Sequence, residues 1–453
     1  MSRMSKINWL HLDFKGIHPA HEQMRRWISW FSSAGFNGIV LEYENRLPWQ
    51  TWPHAYRPGL SLAAWRDIWQ HMQQLGMQIV PLIQTHGHLE WLLKDERYAD
   101  WRENGYYNEL CPQHPDVMPH LEQWLDEVIE LHPPLEYIHI GGDETWNLAT
   151  CPKCTALADA SSDGKLVVFL EHLGRMIDLV VKRGLKPIIW GDMFWREARM
   201  DLVKQLPPEV VICDWQYSGS GPWTTTAELA AEGHTVFGAS AARCSFNLSE
   251  CLSPQSARLE NVRGWQQQSD VAGVIHTCWS RGRSLLPLYG PWSGWLPPMI
   301  LAGEKRDWES HPLKPWMAKV DDCLNAADVK ASAALIKEMK GVTMSDAFDQ
   351  ACFDWWVLAL RWHVLLAQAT AYARNVASVN VVKHHIGIDP HHARQRREAA
   401  QGLEHEVQTW ADDVYAYFDE HKLSDAQEFV ESRLAACGNW LPAETGEPVT
   451  CDQ

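Results

Sequence analysis

No uninterrupted apolar run in this chain is long enough to cross a bilayer. The opening Met1–Leu10 also lacks the sustained apolar core of a secretory leader. Positive charge is in short supply: 40 Lys and Arg stand against 57 Asp and Glu, a net charge of -17. Such a balance excludes nucleic acid and an anionic membrane surface as partners. The 11 cysteines are odd in number and show no disulfide framework, so a cytoplasmic protein with reduced thiols is expected. There is no Gly-x-Ser-x-Gly nucleophile elbow and no Gly-rich phosphate loop between a strand and a helix. Low-complexity segments are missing too, and no repeat appears beyond a strand-helix period.

What the chain does have is tryptophan, 26 of them in 453 residues. Many must be core, because each buries a large apolar area, and a surplus in loops after strands suits stacking on sugar rings. The length allows a barrel plus an accessory domain.

Short apolar runs alternate with helical patterns. Strands are expected at Trp9–Phe14, Gly38–Tyr43, Gln78–Ile83, Tyr137–Ile140, Pro187–Trp190, Val210–Trp215, His234–Gly238 and Gly273–Trp279. Helices are expected over Glu22–Ala34, Leu62–Leu75 and Gly164–Arg183, the last stopped by Gly184. Eight such units in about 300 residues predict an α/β fold, a (β/α)8 TIM barrel over residues 1–305. Beyond it, Ala327–Lys340, Asp346–Val379 and His391–Phe418 show helical spacing without strands, predicting an all-helical C-terminal region over 306–453.

The fourth strand runs into Gly141-Gly142-Asp143-Glu144. Two glycines leave open space before two carboxylates, at the end of a strand where barrels place their chemistry. Adjacent residues on a regular strand diverge, so both acids can face one ligand only if the chain turns there. The other strand ends contribute Asp13 and Lys15, Glu42 and Glu44, Gln84, His86 and His88, Trp190 and Asp192, Asp214, Trp215 and Tyr217, and Trp279 and Arg281. Acids with indoles point to glycoside chemistry: a carboxylic acid protonates the leaving oxygen, and aromatic faces hold the ring. Neighbouring acids cannot readily flank a glycosidic bond. They fit better if a 2-acetamido group of the substrate is itself the nucleophile, with Asp143 orienting the acetamido N–H and Glu144 acting as acid and base.

His139-Ile-Gly-Gly-Asp-Glu144 resembles the signature of glycoside hydrolase family 20, the β-N-acetylhexosaminidases. The resemblance continues through His11–Gly16, Leu41–Glu44, Gln84–Glu90 and Thr277–Trp279, covers about Trp9 to Gly303, and is greatest to the compact hexosaminidase D-like branch, which is nucleocytoplasmic in animals. It implies an exo-acting, retaining enzyme that releases terminal GlcNAc or GalNAc through an oxazolinium intermediate without cofactor or metal. Catalytic roles are implied for Asp143 and Glu144. Substrate-binding roles follow for His88, Trp190, Trp279, Tyr217 and Trp215, with Asp13, Glu44 and Arg281 on the sugar hydroxyls. The implied partner is a carbohydrate or glycoconjugate, and the resemblance allows a homodimer. Three positions depart from larger members: Asn8 replaces an Arg that binds hydroxyls, Gln84 an Asp that orients the histidine, and Arg281 a Glu that binds O4 and O6.

Two rival readings stay open at this point. His86, His88, His139 and Asp143 could form a metal-hydrolase site, although His-x-His normally closes the first strand of such barrels, and His139 also suits the barrel interior. The barrel could also bind N-acetylhexosamine without hydrolysing it. Cys151-Pro-Lys-Cys154 has zinc or redox spacing but no second pair, and is expected to be a loop thiol pair. His384-His385 and His391-His392 read as exposed loop histidines. Trp49, Trp52, Trp91, Trp101, Trp292 and Trp295 read as packing residues before sugar platforms, and Trp355 and Trp356 as core.

Overall fold

The computed structural model describes residues 6–245, 251–386 and 390–437. Eight parallel strands close into a barrel in sequence order: β1 Ile7–Asp13, β2 Gly38–Glu42, β3 Gln78–Leu82, β4 Tyr137–His139, β5 Lys186–Trp190, β6 Val211–Trp215, β7 Thr235–Arg243 and β8 Gly273–Cys278. Closure is made by β1 against β8, with Leu12 beside Cys278 on one side and Leu41 of β2 on the other. Strands buried on both faces must be apolar almost throughout, which is why they read as Ile-Val and Ile-Ile runs. The interior is filled by Trp9, Val40, Val80, Leu82, Ile188, Trp190, Val211, Phe237 and Ile275. Above them, Trp215 and Trp279 are only partly buried, so the packed interior ends in indoles at the strand C-termini.

Two boundaries differ from expectation in a way that matters. β7 continues through Ala239-Ser240-Ala241-Ala242, whose small residues carry no strand pattern but pair with β8 as far as Arg243 and Cys278. β4 stops early, at His139, because Gly141 and Gly142 take φ of 72° and 95°. The Gly141 carbonyl accepts from Trp190 N–H at 3.0 Å, so β5 holds the departing chain.

The chain separates into two compact units. The first carries the barrel. The second comprises residues 245–254, 287–296 and 312–453. Its long helices are Lys314–Asn325, Val329–Met339, Ala347–Ile386, Pro390–Glu420 and Ala426–Cys437. Trp355, Trp356, Trp410, Phe418 and Phe429 are buried in it, with Trp362 against Trp410 at 4.3 Å between centroids. Trp49, Trp52, Trp91, Trp101, Trp292 and Trp295 are all buried, so they pack. His384 and His385 lie in the helix Ala347–Ile386, and His391 and His392 in Pro390–Glu420, not in a loop; His391 is exposed, and the side chains of the other three lie outside the described residues. Among the described residues, no helix is long and apolar enough to cross a membrane.

Candidate active site

The turn after β4 brings the two acids together. Glu144 itself has φ of 48°, a left-handed conformation that a residue with a side chain rarely adopts. Its N–H donates to Asp192 Oδ2 at 3.2 Å, which anchors the turn to the loop after β5. As a result Asp143 and Glu144, which a continued strand would point apart, meet one imidazole. His88 Nε2 lies 3.2 Å from Asp143 Oδ2 and 3.4 Å from Glu144 Oε2. His88 also has a positive φ, of 54°.

The electrostatics of this triad follow from the spacing. Burial lowers the His88 pKa, but the Asp143 carboxylate and the hydrogen bonds to both acids outweigh it and hold the imidazole well above its ordinary value. Burial raises Glu144, yet the bond and charge of His88 and the nearby Arg196 pull it below the usual carboxylate range. Asp192, fully buried and close to the Asp143 charge, is pushed up to about 7. Asp143 Oδ1 is buried and accepts no hydrogen bond from any described residue. A buried carboxylate oxygen without a donor is costly, so it calls for a donor from a ligand.

Aromatic rings gather at the same strand ends, and Tyr217 among them feels the Asp143 charge. Trp190 packs against His139 at 4.3 Å and lies 6.4 Å from Trp279. Tyr217 stacks on Trp215 at 4.9 Å and meets Trp279 edge-on at 6.4 Å. Burial keeps the Tyr217 phenol well above its ordinary pKa, so it remains a donor. Trp190, Trp215, Tyr217, Trp279, His88, Asp143 and Glu144 thus form one neighbourhood.

Asp13, Glu44 and Arg281 belong to a second, linked cluster. Lys15 Nζ lies 2.7 Å from Glu42, 3.4 Å from Asp13 and 3.6 Å from Glu44, and 5.0 Å from the Trp279 ring centre. One ammonium cannot neutralise three buried acids. Burial and the Glu42 and Asp13 charges accordingly push Glu44 up to about 8, despite Lys15. Asp13 Oδ2 accepts from Ser280 N–H and hydroxyl, and Ser284 donates to Glu44. Arg281 Nη1 donates to the carbonyls of Ser284 and Leu286. Gln84 reaches Glu42 at 3.4 Å instead of His88. Asn8 sits at the opposite end of β1 and donates to the Ala302 carbonyl.

Arg196 was not singled out by sequence. It lies on the short helix Asp192–Arg196, with Nη2 3.6 Å from Glu144 and Nε 3.1 Å from Asp192. Its guanidinium lies over Trp146, Trp195 and Trp215 at 4.6 to 5.0 Å. The four-residue spacing from Asp192 was the only local signal.

The metal-hydrolase set does not converge among the described residues. His86 packs beside His172 and Phe169, while His139 Nδ1 accepts the Gly141 N–H and its ring is held neutral by burial, at about 3.

Residues 51–279, more than half of the chain, match the profile of the glycosyl hydrolase family 20 catalytic domain. The chain is 27% identical over 299 residues to a Bos taurus protein named hexosaminidase D, covering 60% of this chain and 84% of that one. It is 26% identical over 311 residues to the Homo sapiens protein of that name, of which it spans 60%, over 61% of its own length. Among solved structures, a β-N-acetylhexosaminidase from Bacteroides fragilis shares the fold, with a TM-score of 0.51 at 19% identity over 75% of this chain and 72% of that one.

Proposed function

This chain belongs to glycosyl hydrolase family 20, and on that premise we propose that it is an exo-acting, retaining β-N-acetylhexosaminidase working by substrate-assisted catalysis. The observation that carries the reading is the unfilled acceptor Asp143 Oδ1, buried in the turn that also carries Glu144. An acetamido N–H would fill it. Tyr217 would donate to the acetamido oxygen, and Trp190, Trp215 and Trp279 would enclose the methyl group and ring. Asp13, Glu44 and Arg281 would act on the hydroxyl side.

In the first step the acetamido oxygen attacks C1, Glu144 gives its proton to the leaving oxygen, and the glycosidic bond breaks. The oxazolinium nitrogen is positive, and the Asp143 carboxylate stabilises it. In the second step Glu144 takes a proton from water, which attacks C1 and opens the ring with net retention.

Glu144 is ionised in the free enzyme by the direction of its pKa, whereas the reaction needs it protonated. The triad resolves this. His88 protonated with Glu144 ionised, and His88 neutral with Glu144 protonated, hold the same number of protons. Transfer across the 3.4 Å contact therefore needs no proton from solvent. Filling Asp143 with a substrate N–H weakens its hold on the imidazolium and favours that transfer.

A cytoplasmic location belongs to the same reading and rests on the resemblance to the hexosaminidase D-like branch. The test is release of p-nitrophenol from the β-GlcNAc and β-GalNAc glycosides with EDTA in the assay. Turnover is expected, with strong inhibition by a thiazoline that mimics the oxazolinium. A folded protein that binds these sugars without turnover would instead support a sugar-binding barrel, and thiazoline-insensitive turnover would remove the substrate-assisted step.

A further inference from the structure

Cys151 and Cys154 do not stand alone. Cys111, forty residues upstream, lies with its sulfur 3.4 Å from that of Cys151 and 3.6 Å from that of Cys154. A carboxylate oxygen of Glu103 joins them, and all four ligand atoms lie within 4.8 Å of one another. Among the described residues no other group of three or more Cys, His, Asp and Glu side chains brings all its ligand atoms that close together. All four residues are buried, Glu103 and Cys154 completely.

The geometry points to a structural zinc site with Cys111, Cys151, Cys154 and Glu103 as its four ligands. Tetrahedral zinc with Zn–S bonds of about 2.3 Å sets its sulfurs about 3.8 Å apart, close to the spacings here and far from a disulfide's bond of about 2.05 Å. The Cys-x-x-Cys spacing is that of structural zinc sites, and a thiolate-rich tetrahedral set selects zinc. Glu103 supplies independent support. Its Oε1 accepts the N–H groups of Thr150 and Cys151, both at 2.7 Å, while its Oε2 is buried without a partner. A buried carboxylate with one oxygen unpaired, in a group with three thiols, is suited to a cation. The helix Pro152–Asp159 begins at this cluster, with Cys151 as its cap, so its positive end favours the thiolates.

On binding, Zn2+ replaces three thiol protons, which leave to solvent, and forms three Zn–S bonds and one Zn–O bond. The site would tie the segment before the helix Val117–Leu131 to the loop that follows Glu144. The same two segments are already joined by Glu109, which accepts from Asn147 N–H at 2.8 Å. None of its four ligands is among the residues proposed for the chemistry, so zinc here would position a loop and take no part in proton transfer.

The test is metal analysis of the full chain, expressed without a metal-binding tag in zinc-supplemented medium and desalted. About one zinc per chain is expected, and Cys111→Ser or Cys154→Ser should bring it to background. Because those variants could unfold, Co2+ loading of the metal-stripped wild type gives a second measurement. Strong visible bands of tetrahedral cobalt with thiolate-to-cobalt charge transfer are expected. Glu103→Gln should keep the charge-transfer band and weaken cobalt affinity at least tenfold. Folded wild type with no zinc and no tetrahedral cobalt spectrum would overturn the proposal, as would a Cys151–Cys154 disulfide found by mass spectrometry. Unchanged affinity in Glu103→Gln would overturn the ligand set.

Discussion

Replacing His88 with Gln separates a stored proton from a mere hydrogen bond. The Gln amide nitrogen can stand near the position of Nε2 and still donate to Asp143 and Glu144, but it cannot titrate. Without the imidazolium, Glu144 must take its proton from solvent. A carboxyl group with an ordinary pKa of about 4.3 is protonated in about one molecule in 500 at pH 7. Where substrate binding drives the transfer from His88 to Glu144 to completion in wild type, the loss of kcat at pH 7 reaches about 500-fold, and it shrinks in proportion where the transfer is incomplete. Burial of Glu144 would reduce the loss, and Arg196 at 3.6 Å would oppose that reduction. The assay is kcat against pH on an alkyl β-GlcNAc glycoside, whose poor leaving group makes protonation necessary. Because folded His88 is raised above its ordinary value, wild-type activity should hold through about pH 6.5 and fall only where His88 loses its proton. The variant should instead gain about tenfold per pH unit on acidification. Two parallel profiles, offset by one factor at every pH, would refute the stored proton, and unchanged kcat would remove His88 from the relay.

Three further outcomes are expected. Glu144→Gln should lower kcat about 10²–10⁴-fold on the alkyl glycoside and less on the p-nitrophenyl one, whose leaving group needs less protonation; equal losses would count against the acid role. Asp192 should make stability depend on pH. Its folded pKa of about 7 lies above an unfolded value of about 3.9, so stability falls as pH rises through that window and the full cost is present above it. Asp192→Asn should therefore be more stable than wild type at about pH 8, by up to about 4 kcal/mol, with the gap closing near pH 4 in thermal melts. Gly141→Ala should destabilise by about 1–3 kcal/mol in urea titrations. Its Cβ would lie 2.1 Å from Gln84 Oε1, at a φ of 72° that only glycine adopts freely.

The barrel was legible because parallel strands covered on both faces must be continuous short apolar runs, as in Ile188-Ile189 and Ile212-Cys213. The second half of β7 was not, since Ala239–Ala242 carries no pattern and is a strand because β8 pairs with it, β6 reaching only Ala239. Asp143 and Glu144 stood out through the glycines before them, and His88 through its place after the third strand, its role coming from the resemblance. Arg196 had only its four-residue spacing from Asp192, and the pairing of Cys111 with Cys151 and Cys154 had no mark at all. The contacts of Arg196 with Glu144 and of Cys111 with Cys151 and Cys154 are made by the fold across 40 residues or more, and side chains that meet only in three dimensions leave no local spacing to read.

The acidic pair also shows why sequence could name residues without giving their geometry. A straight β4 would send Asp143 and Glu144 to opposite faces. Their convergence on His88 requires left-handed backbone at Gly141, Gly142 and Glu144, and His88 meets them from a left-handed position of its own. For the two residues with side chains that conformation costs about 1–3 kcal/mol each. The neighbouring strands offset it. From the β3 side, Thr85 donates to the Ile140 carbonyl at 2.7 Å, and Gly87 leaves room for the Asp143 carbonyl, which would lie 2.8 Å from a Cβ there. From the β5 side, Trp190 N–H binds the Gly141 carbonyl and Asp192 accepts the Glu144 N–H. The turn is thus held by both of its neighbours, so substitutions at Thr85, Gly87 or Asp192 should disturb the acids as directly as changes within the motif itself.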